Sequence, residues 1–471
     1  MLPSPKRWNV WPSVYPTAKE CLVTIIPESR IFLFEDGAEY TVRVNGLNDD
    51  DPFYHAPTVF TEYTLVAKDG ILQFTHTFPT EQEYYIRLLK GEDKVTDFFV
   101  YALEADLYTL RPLKGDLHSH THRSDGTNDP AELFGYYREM GYDFQCLTDH
   151  NRYYPGGEID EVYADVKLGI THVQGEEVHT PDSTVHIVHA GGKSSVADIY
   201  IHDTERYERE MATYRAQVPA EIPEKQKERY AEAMWSCDRI HEAGGIAIFP
   251  HPYWLTGTNK CYNVCDPLAT ALLKSGKFDA FELVGGMKVN GINRAVAMWQ
   301  ELRLAGYDVK VVGSSDVHSL DAMDFPYHFT LCFAKENEND AIIDAVKNGW
   351  SVACEQSGKE VDLEFRAYGS MRLVSYAQFL FLHYFPRYRR VCLGEGVSMR
   401  QYAMGLVDAA TVEAQAVQST NFSDFFFGRK SHPTPDADML AFEKRWRERH
   451  LQSPPTKGSR LTTSKGCTRQ I

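Results

Sequence analysis

No apolar run in this sequence approaches the roughly 20 residues that a membrane-spanning helix needs. The amino terminus lacks a basic stretch followed by an apolar core. Pro3, Pro5, Trp8 and Trp11 stand there instead, so no secretory signal is expected. Positive charge is scarce: 49 Lys and Arg stand against 66 Asp and Glu, a formal net charge of −17. That balance argues against a general nucleic-acid or anionic-membrane surface. An acidic chain can still bind phosphate where metal ions supply the positive charge. Cysteine is thin as well, with nine residues spread along the chain. An odd number without a paired spacing points away from a disulfide framework and toward reduced thiols, hence a cytoplasmic location. Cys261 and Cys265 are four apart with no second pair, and are read as loop thiols. Hydrophobic content is ordinary at 43%, enough for sizeable cores, and 471 residues suit two or three domains.

Four segments follow from the patterning. Residues 1–110 read as an all-β, sandwich-like accessory domain. Tyr40, Val42 and Val44 alternate with polar neighbours, as do Leu72, Phe74, His76 and Phe78, and Asp36-Gly37 and Asp69-Gly70 mark turns. Further strands are expected over 21–26, 58–67, 83–89 and 95–103. His55 and His76 are assigned to surface or packing. Residues 111–357 alternate strand and helix. Strands are predicted over 114–118, 144–149, 171–176, 184–190, 245–250, 278–284, 308–314 and 327–334, which implies parallel strands, closed into a barrel or left open. Asp129, Pro130 and Gly141 cap, start and stop the first helix. Residues 191–223 are expected to be a solvated loop or lid. Residues 358–452 carry a short strand, 361–367, and aromatic-rich helices whose Phe379, Phe381, Tyr384 and Phe385 read as core. Residues 453–471 read as a disordered tail.

Ligand-type side chains recur at the ends of the barrel strands. His118-Ser-His120 ends the first; on a strand, residues two apart face the same way. Asp125 follows after a turn. Asp149-His150 ends the second strand, Glu176-Glu177 the third, and His251 the fifth; His186 and His189 lie on the fourth, and Asp316-Val-His318 ends the seventh. Of 18 histidines, 12 fall between His118 and His318. A lone His-x-His pair is weak evidence, but six strand ends bearing such residues match the active-site face of a barrel. Imidazole and carboxylate without cysteine suit Zn, Mn or Fe. So many candidate ligands exceed the needs of one ion and would serve two or three, which acidify water and clamp phosphoryl oxygens.

The series resembles the PHP (polymerase and histidinol phosphatase) superfamily of metal-dependent phosphoesterases, in its stand-alone form, across residues 114–355. The motifs carrying the likeness are His118-Ser-His120, Thr148-Asp149-His150, Gly175-Glu176-Glu177, His186, His251-Pro252 and Asp316-Val317-His318. The resemblance implies a distorted (β/α)7 barrel with two to three divalent metal ions (Mn, Zn or Fe). Its implied ligands are His118, His120, Asp125, His150, Glu177, His186, His251, Asp316 and His318, with Glu177 bridging. Glu177 is preferred to Glu176 because the family's glutamate sits two residues after the glycine. The β-rich amino-terminal segment departs from compact histidinol phosphatases, and no polymerase chain is attached.

Outside the ligands, Arg152 is the candidate phosphate grip through its planar fork, with Arg123, Lys193 and Arg294 as rivals and a surface salt bridge as the alternative for each. Glu177, Asp316 and Arg152 are thus the expected catalytic residues. Tyr153 and Trp254 are placed either against a base or sugar or in rim packing. Asp149 is expected to orient an imidazole, and His122, His179 and His189 to be supporting or structural. The expected activity is hydrolysis of a small phosphorylated substrate, a phosphomonoester or nucleotide-like ester, by metal-activated water. An amidohydrolase or deacylase using the same ions and a non-catalytic binding protein are the alternatives. The amino-terminal domain is a candidate partner or self-association surface.

Overall fold

The computed structural model describes residues 7–49, 59–181, 183–255, 260–320, 325–357 and 364–452. His55 and the tail beyond 452 lie outside these residues, as does part of the strand expected over 361–367. Eight strands come first: β1 Trp8–Trp11, β2 Val14–Pro16, β3 Glu20–Pro27, β4 Glu39–Gly46, β5 Thr61–Val66, β6 Leu72–Thr77, β7 Gln82–Lys90 and β8 Asp93–Leu103. They form a five-stranded sheet, β2-β8-β7-β4-β5, and a three-stranded sheet, β1-β3-β6. The alternation seen in the sequence is what buries one face of each: Tyr40, Val42 and Val44 of β4 meet Val23, Ile25, Leu72 and Phe74 of the other sheet in one core. His76 is buried there and hydrogen-bonded to Tyr63 Oη at 2.8 Å.

Ten strands then form one sheet in the order β15-β14-β13-β12-β11-β10-β9-β16-β17-β18. They are β9 Arg111–Asp116, β10 Phe144–Leu147, β11 Thr171–Val178, β12 Ile187–Ala190, β13 Ile246–Phe249, β14 Ala280–Val284, β15 Val311–Gly313, β16 His328–Ala334, β17 Ser351–Ser357 and β18 Glu364–Tyr368. The sheet curls until its first strand approaches its eighth and ninth. Thr330 Oγ1 of β16 donates to Gly313 O of β15 at 2.7 Å, and Ser351 Oγ of β17 donates to Val311 O at 2.9 Å. The result is a nearly closed, barrel-like α/β sheet.

Two strands break the expected parallel run. β12 is antiparallel to both β11 and β13, and β16 is antiparallel to β9. A parallel pair needs a crossover of a dozen or more residues, usually a helix. Only eight residues, 179–186, join β11 to β12, so the chain reverses there. The segment expected to be a loop or lid also differs. Residues 197–202 and 204–216 are helices, and Tyr200, Tyr207 and Met211 are buried, with the Tyr207 ring edge-on to Trp235 at 4.9 Å. Tyr207 and Met211 are four apart, on one face of the second helix.

The carboxy-terminal helices 371–383, 385–403 and 409–426 cover the flank of the barrel and join it to the amino-terminal sheets. Trp11, Tyr101, Phe134, Phe333, Tyr376, Phe379 and Phe426 share one core. No helix among the described residues is long and apolar enough to cross a membrane.

Candidate metal centre

Backbone pairing at the strand ends sets the donors in place. A parallel bridge joins Ser119 to Val317, so the His118–His120 pair lies beside Asp316 and His318. A second joins His150 to Glu177. Within β11 the alternation sends Glu176 and Glu177 to opposite faces. Glu177 enters the cluster, whereas Glu176 accepts from Ser195 Oγ at 2.8 Å and stands 3.3 Å from His189 Nδ1. His189 is thereby occupied on the other face, and Tyr153 packs toward it at 6.0 Å between ring centroids.

Glu177 is the centre of the arrangement. Its Oε1 lies 2.9 Å from His186 Nδ1 and 3.2 Å from His251 Nε2. Its Oε2 faces four imidazole nitrogens: His150 Nδ1 at 2.8 Å, His118 Nε2 at 3.3 Å, His120 Nε2 at 3.4 Å and His179 Nε2 at 3.7 Å. Yet this buried oxygen has no aligned hydrogen bond. Asp316 is the second focus. Its Oδ1 lies 3.1 Å from His120 Nε2 and 3.3 Å from His118 Nε2, and its Oδ2 lies 3.9 Å from His251 Nε2. Asp125 Oδ2 stands 3.4 Å from both His150 Nε2 and His318 Nε2. All nine sequence-predicted ligands therefore converge.

Supporting residues fix the imidazoles. His118 Nδ1 lies 2.9 Å from buried Glu282 Oε2, and His318 Nδ1 lies 2.8 Å from the Asp316 carbonyl. With those nitrogens as donors, both Nε2 lone pairs face the cluster. The Nε2 atoms of His118 and His120 are 3.1 Å apart, a contact in which at least one must present a lone pair. Asp116 accepts from the backbone N–H groups of His118 and Ser315 and from Tyr137 Oη. Asp149 orients no imidazole directly; it accepts from Thr121 N, Thr121 Oγ1 and Ser124 Oγ, and so holds the loop that carries Asp125.

The backbone is strained at the same place. His251 (φ 23°) and Asp316 (φ 53°) adopt left-handed conformations, at about 1–3 kcal/mol each. Gly286 makes room for both: a Cβ there would sit 2.8 Å from His251 Cδ2 and 3.0 Å from Asp316 Oδ2.

Protonation follows from the crowding. Burial pushes His120 down to about 4 and His186 down to about 3. Burial also opposes charge on His150, but the nearby carboxylates of Asp125 and Glu177 hold it up at about 10. Glu177 stays ionised well below the usual carboxylate range, because the imidazoles around it, His118 foremost, outweigh its burial. This set fits divalent ions. Carboxylate oxygens and imidazole nitrogens converge, with Glu177 Oε2, His150 Nδ1 and His179 Nε2 left without an aligned hydrogen bond, and they separate into groups around Asp125, around Asp316, and on each side of Glu177.

The rest of the expected site is dispersed. Arg152 is exposed and donates to Tyr154 Oη at 3.3 Å. Arg123 pairs with Glu158 at 2.7 Å and Arg294 with Asp266 at 2.6 Å, while Lys193 is exposed. Trp254 does stand at the mouth, 43% exposed, with its ring 6.4 Å from His186 and 6.5 Å from His251. Sequence reasoning missed Glu282, and it placed His179 among supporting or structural residues, where the structure sets its Nε2 3.7 Å from Glu177 Oε2. The signals were present: Glu282 is the one acid in an otherwise apolar strand, and His179 is two residues beyond Glu177.

No family model matches this chain. Over 83 residues it is 32% identical to the DNA polymerase/3'-5' exonuclease PolX of Bacillus subtilis, a stretch covering 16% of this chain and 15% of that protein. Among solved structures it is similar to a two-domain protein from Bacteroides vulgatus containing a predicted PHP-like metal-dependent phosphoesterase. That match has 20% identity and a TM-score of 0.36, over 52% of this chain and 65% of the other. It is also similar to an amidohydrolase from Chromobacterium violaceum, at 18% identity and a TM-score of 0.30, over 44% and 88% respectively. The chain thus spans less than two thirds of the first two proteins it matches.

Proposed function

We propose that this chain, which resembles the PHP superfamily, is a metal-dependent hydrolase of small phosphate esters working in a PHP-type barrel. One observation carries the reading: Glu177 and Asp316 each face several imidazole nitrogens at 2.8–3.9 Å, and Glu177 Oε2 has no aligned hydrogen bond. An apolar or ion-paired core does not leave a buried carboxylate oxygen among four imidazole nitrogens with no aligned hydrogen bond. The nine residues from His118 to His318 would hold two to three divalent ions, with Glu177 shared between sites. Such ions, when bound, acidify water and neutralise phosphoryl charge.

The chain's own residues set the conditions for that chemistry. Glu282 and the Asp316 carbonyl keep His118 and His318 oriented with Nε2 inward. Burial of Glu177, His118 and His120 excludes bulk water from one side of the site. Asp125, with 55% of its side chain exposed, and His318 mark the open side where a substrate would enter. Trp254 offers an aromatic face at the same mouth.

Among the described residues, no arginine or lysine is recorded against the donor cluster. Phosphate charge would then be met by the ions themselves, and this same feature favours hydrolysis at a carbon centre as the second reading. Screening the purified protein with added Mn²⁺ or Zn²⁺ against phosphomonoesters, cyclic phosphates and amides separates the two. Turnover of phosphate esters is the expected result. Turnover of amides alone would overturn it.

A further inference from the structure

We infer that His179 is a tenth donor of the metal cluster, held there by the helical segment inserted between β12 and β13. The inference rests on the proposed metal site and extends it by one residue. His179 directly follows β11 and is two residues from Glu177, so the two side chains lie on one side of the chain. Its Nε2 is buried, has no hydrogen-bond partner and lies 3.7 Å from Glu177 Oε2. Its ring centroid is 3.5 Å from that of His186 and 4.3 Å from that of His150. A merely structural histidine whose ring nitrogen is buried bonds that nitrogen to an acceptor. This one aims it at a carboxylate oxygen already surrounded by three other imidazoles.

His150 explains why a further donor is needed there. Its Nδ1 faces Glu177 Oε2 at 2.8 Å and its Nε2 faces Asp125 Oδ2 at 3.4 Å. One imidazole thus stands between two donor groups. If it serves Asp125 and His318, Glu177 Oε2 keeps His179 on that side. If it serves Glu177, the three residues His150, Glu177 and His179 form a complete set with donor atoms within 4.8 Å of one another. A catalytic site commonly has three protein donors and an open position.

The position of His179 is built rather than incidental. Its backbone N–H donates to Asn151 Oδ1 at 2.7 Å, and Asn151 N donates to the Glu177 carbonyl at 2.9 Å. Tyr200 Oη, from the helix Ala197–His202 of the inserted segment, donates to the same Asn151 oxygen. Asn151 itself holds a left-handed turn (φ 54°) directly after His150. The insertion therefore braces the two strand ends that carry His150, Glu177 and His179.

The test compares wild type with His179→Ala in three readouts: metal content by elemental analysis, resistance of each ion to a chelator series, and the visible spectrum after Co²⁺ substitution. The variant is expected to lose one ion, or to release one at least about 10-fold more readily, the scale set by loss of even an outer partner. Its cobalt spectrum should change as a nitrogen donor leaves. Unchanged metal content, chelator resistance and spectrum would overturn the inference. If His179→Ala does not fold, His179→Gln carries the same comparison with the same outcomes. Failure of the underlying reading looks different: wild type would then bind no metal, or be fully loaded and hydrolyse no phosphate ester.

Discussion

The barrel carries two buried charge clusters, one at its mouth and one on its flank under the carboxy-terminal helices, and they are built on opposite plans. On the flank, fully buried Arg138 donates from Nε to Glu395 Oε2 at 2.6 Å, from Nη2 to Ser419 Oγ at 2.8 Å, and from Nη1 to the Tyr142 carbonyl at 2.9 Å. Glu395 also accepts from Gly169 N at 2.6 Å, and Asp143 accepts from Tyr388 Oη at 2.6 Å. Donors meet acceptors, and the network fastens two carboxy-terminal helices to the barrel. At the mouth, acceptors crowd together with too few donors: the Nε2 atoms of His118 and His120 are 3.1 Å apart, and Glu177 Oε2 has no aligned hydrogen bond. A satisfied network explains itself as structure. An unsatisfied one, held by strained backbone, asks for a ligand.

Breaking the mouth should abolish function and spare the fold. Glu177→Gln removes the shared carboxylate, and turnover should fall by at least about 10³-fold, as for loss of an electrostatic centre in a dry site. Its far-UV dichroism should match wild type; near-normal kcat would contradict the assignment. Breaking the flank should do the reverse. Glu395→Ala leaves the buried Arg138 guanidinium without its short carboxylate partner and with only Asp143 at 3.4 Å, and urea unfolding should show a loss of about 3 kcal/mol. Protein that remains folded should keep its metal content. Glu282→Gln tests the support rather than the ligands. It weakens the acceptor of His118 Nδ1, so the affinity of one ion should drop about 10–100-fold in chelator competition; an unchanged affinity would separate Glu282 from the site.

The smallest effect is a pH dependence confined to the mouth. His150 in the metal-free protein is raised from an ordinary 6.5 to about 10 by Asp125 and Glu177 against its burial. Its pairing therefore contributes stability that is fully present below pH 6.5 and lost as pH rises through about 10. In chelator-treated protein, the Tm difference between wild type and His150→Gln should shrink from pH 6.5 to 10, while metal affinity rises as the proton leaves. Parallel Tm curves would remove His150 from this role.

The contrast also marks what was legible in the sequence. The side chains that converge were, because His-x-His, Asp-His and Asp-x-His stand at strand ends, and alternation fixes which side each faces. Most strands were, because one buried face forces an alternating pattern, as in β4. Strand direction was not: the reversal at β12 depends on the shortness of the eight-residue connection between Val178 and Ile187, and a short apolar strand reads alike in both senses. The inserted helices were hidden by their charge, since only Ala197, Tyr200, Tyr207 and Met211 mark their buried faces. Arg152 was placed by its nearness in sequence to His150, yet its exposed side chain bonds Tyr154. Glu282 and His179 required three-dimensional proximity to His118 and Glu177.

The central claim is that the mouth exists to hold metal, and elemental analysis of protein purified without chelator after metal-replete growth tests it most directly. Two to three transition-metal ions per chain are predicted, falling on substitution of Glu177 and unaffected by substitution of Glu395 in folded protein. Fewer than one ion per chain in wild type would contradict the account.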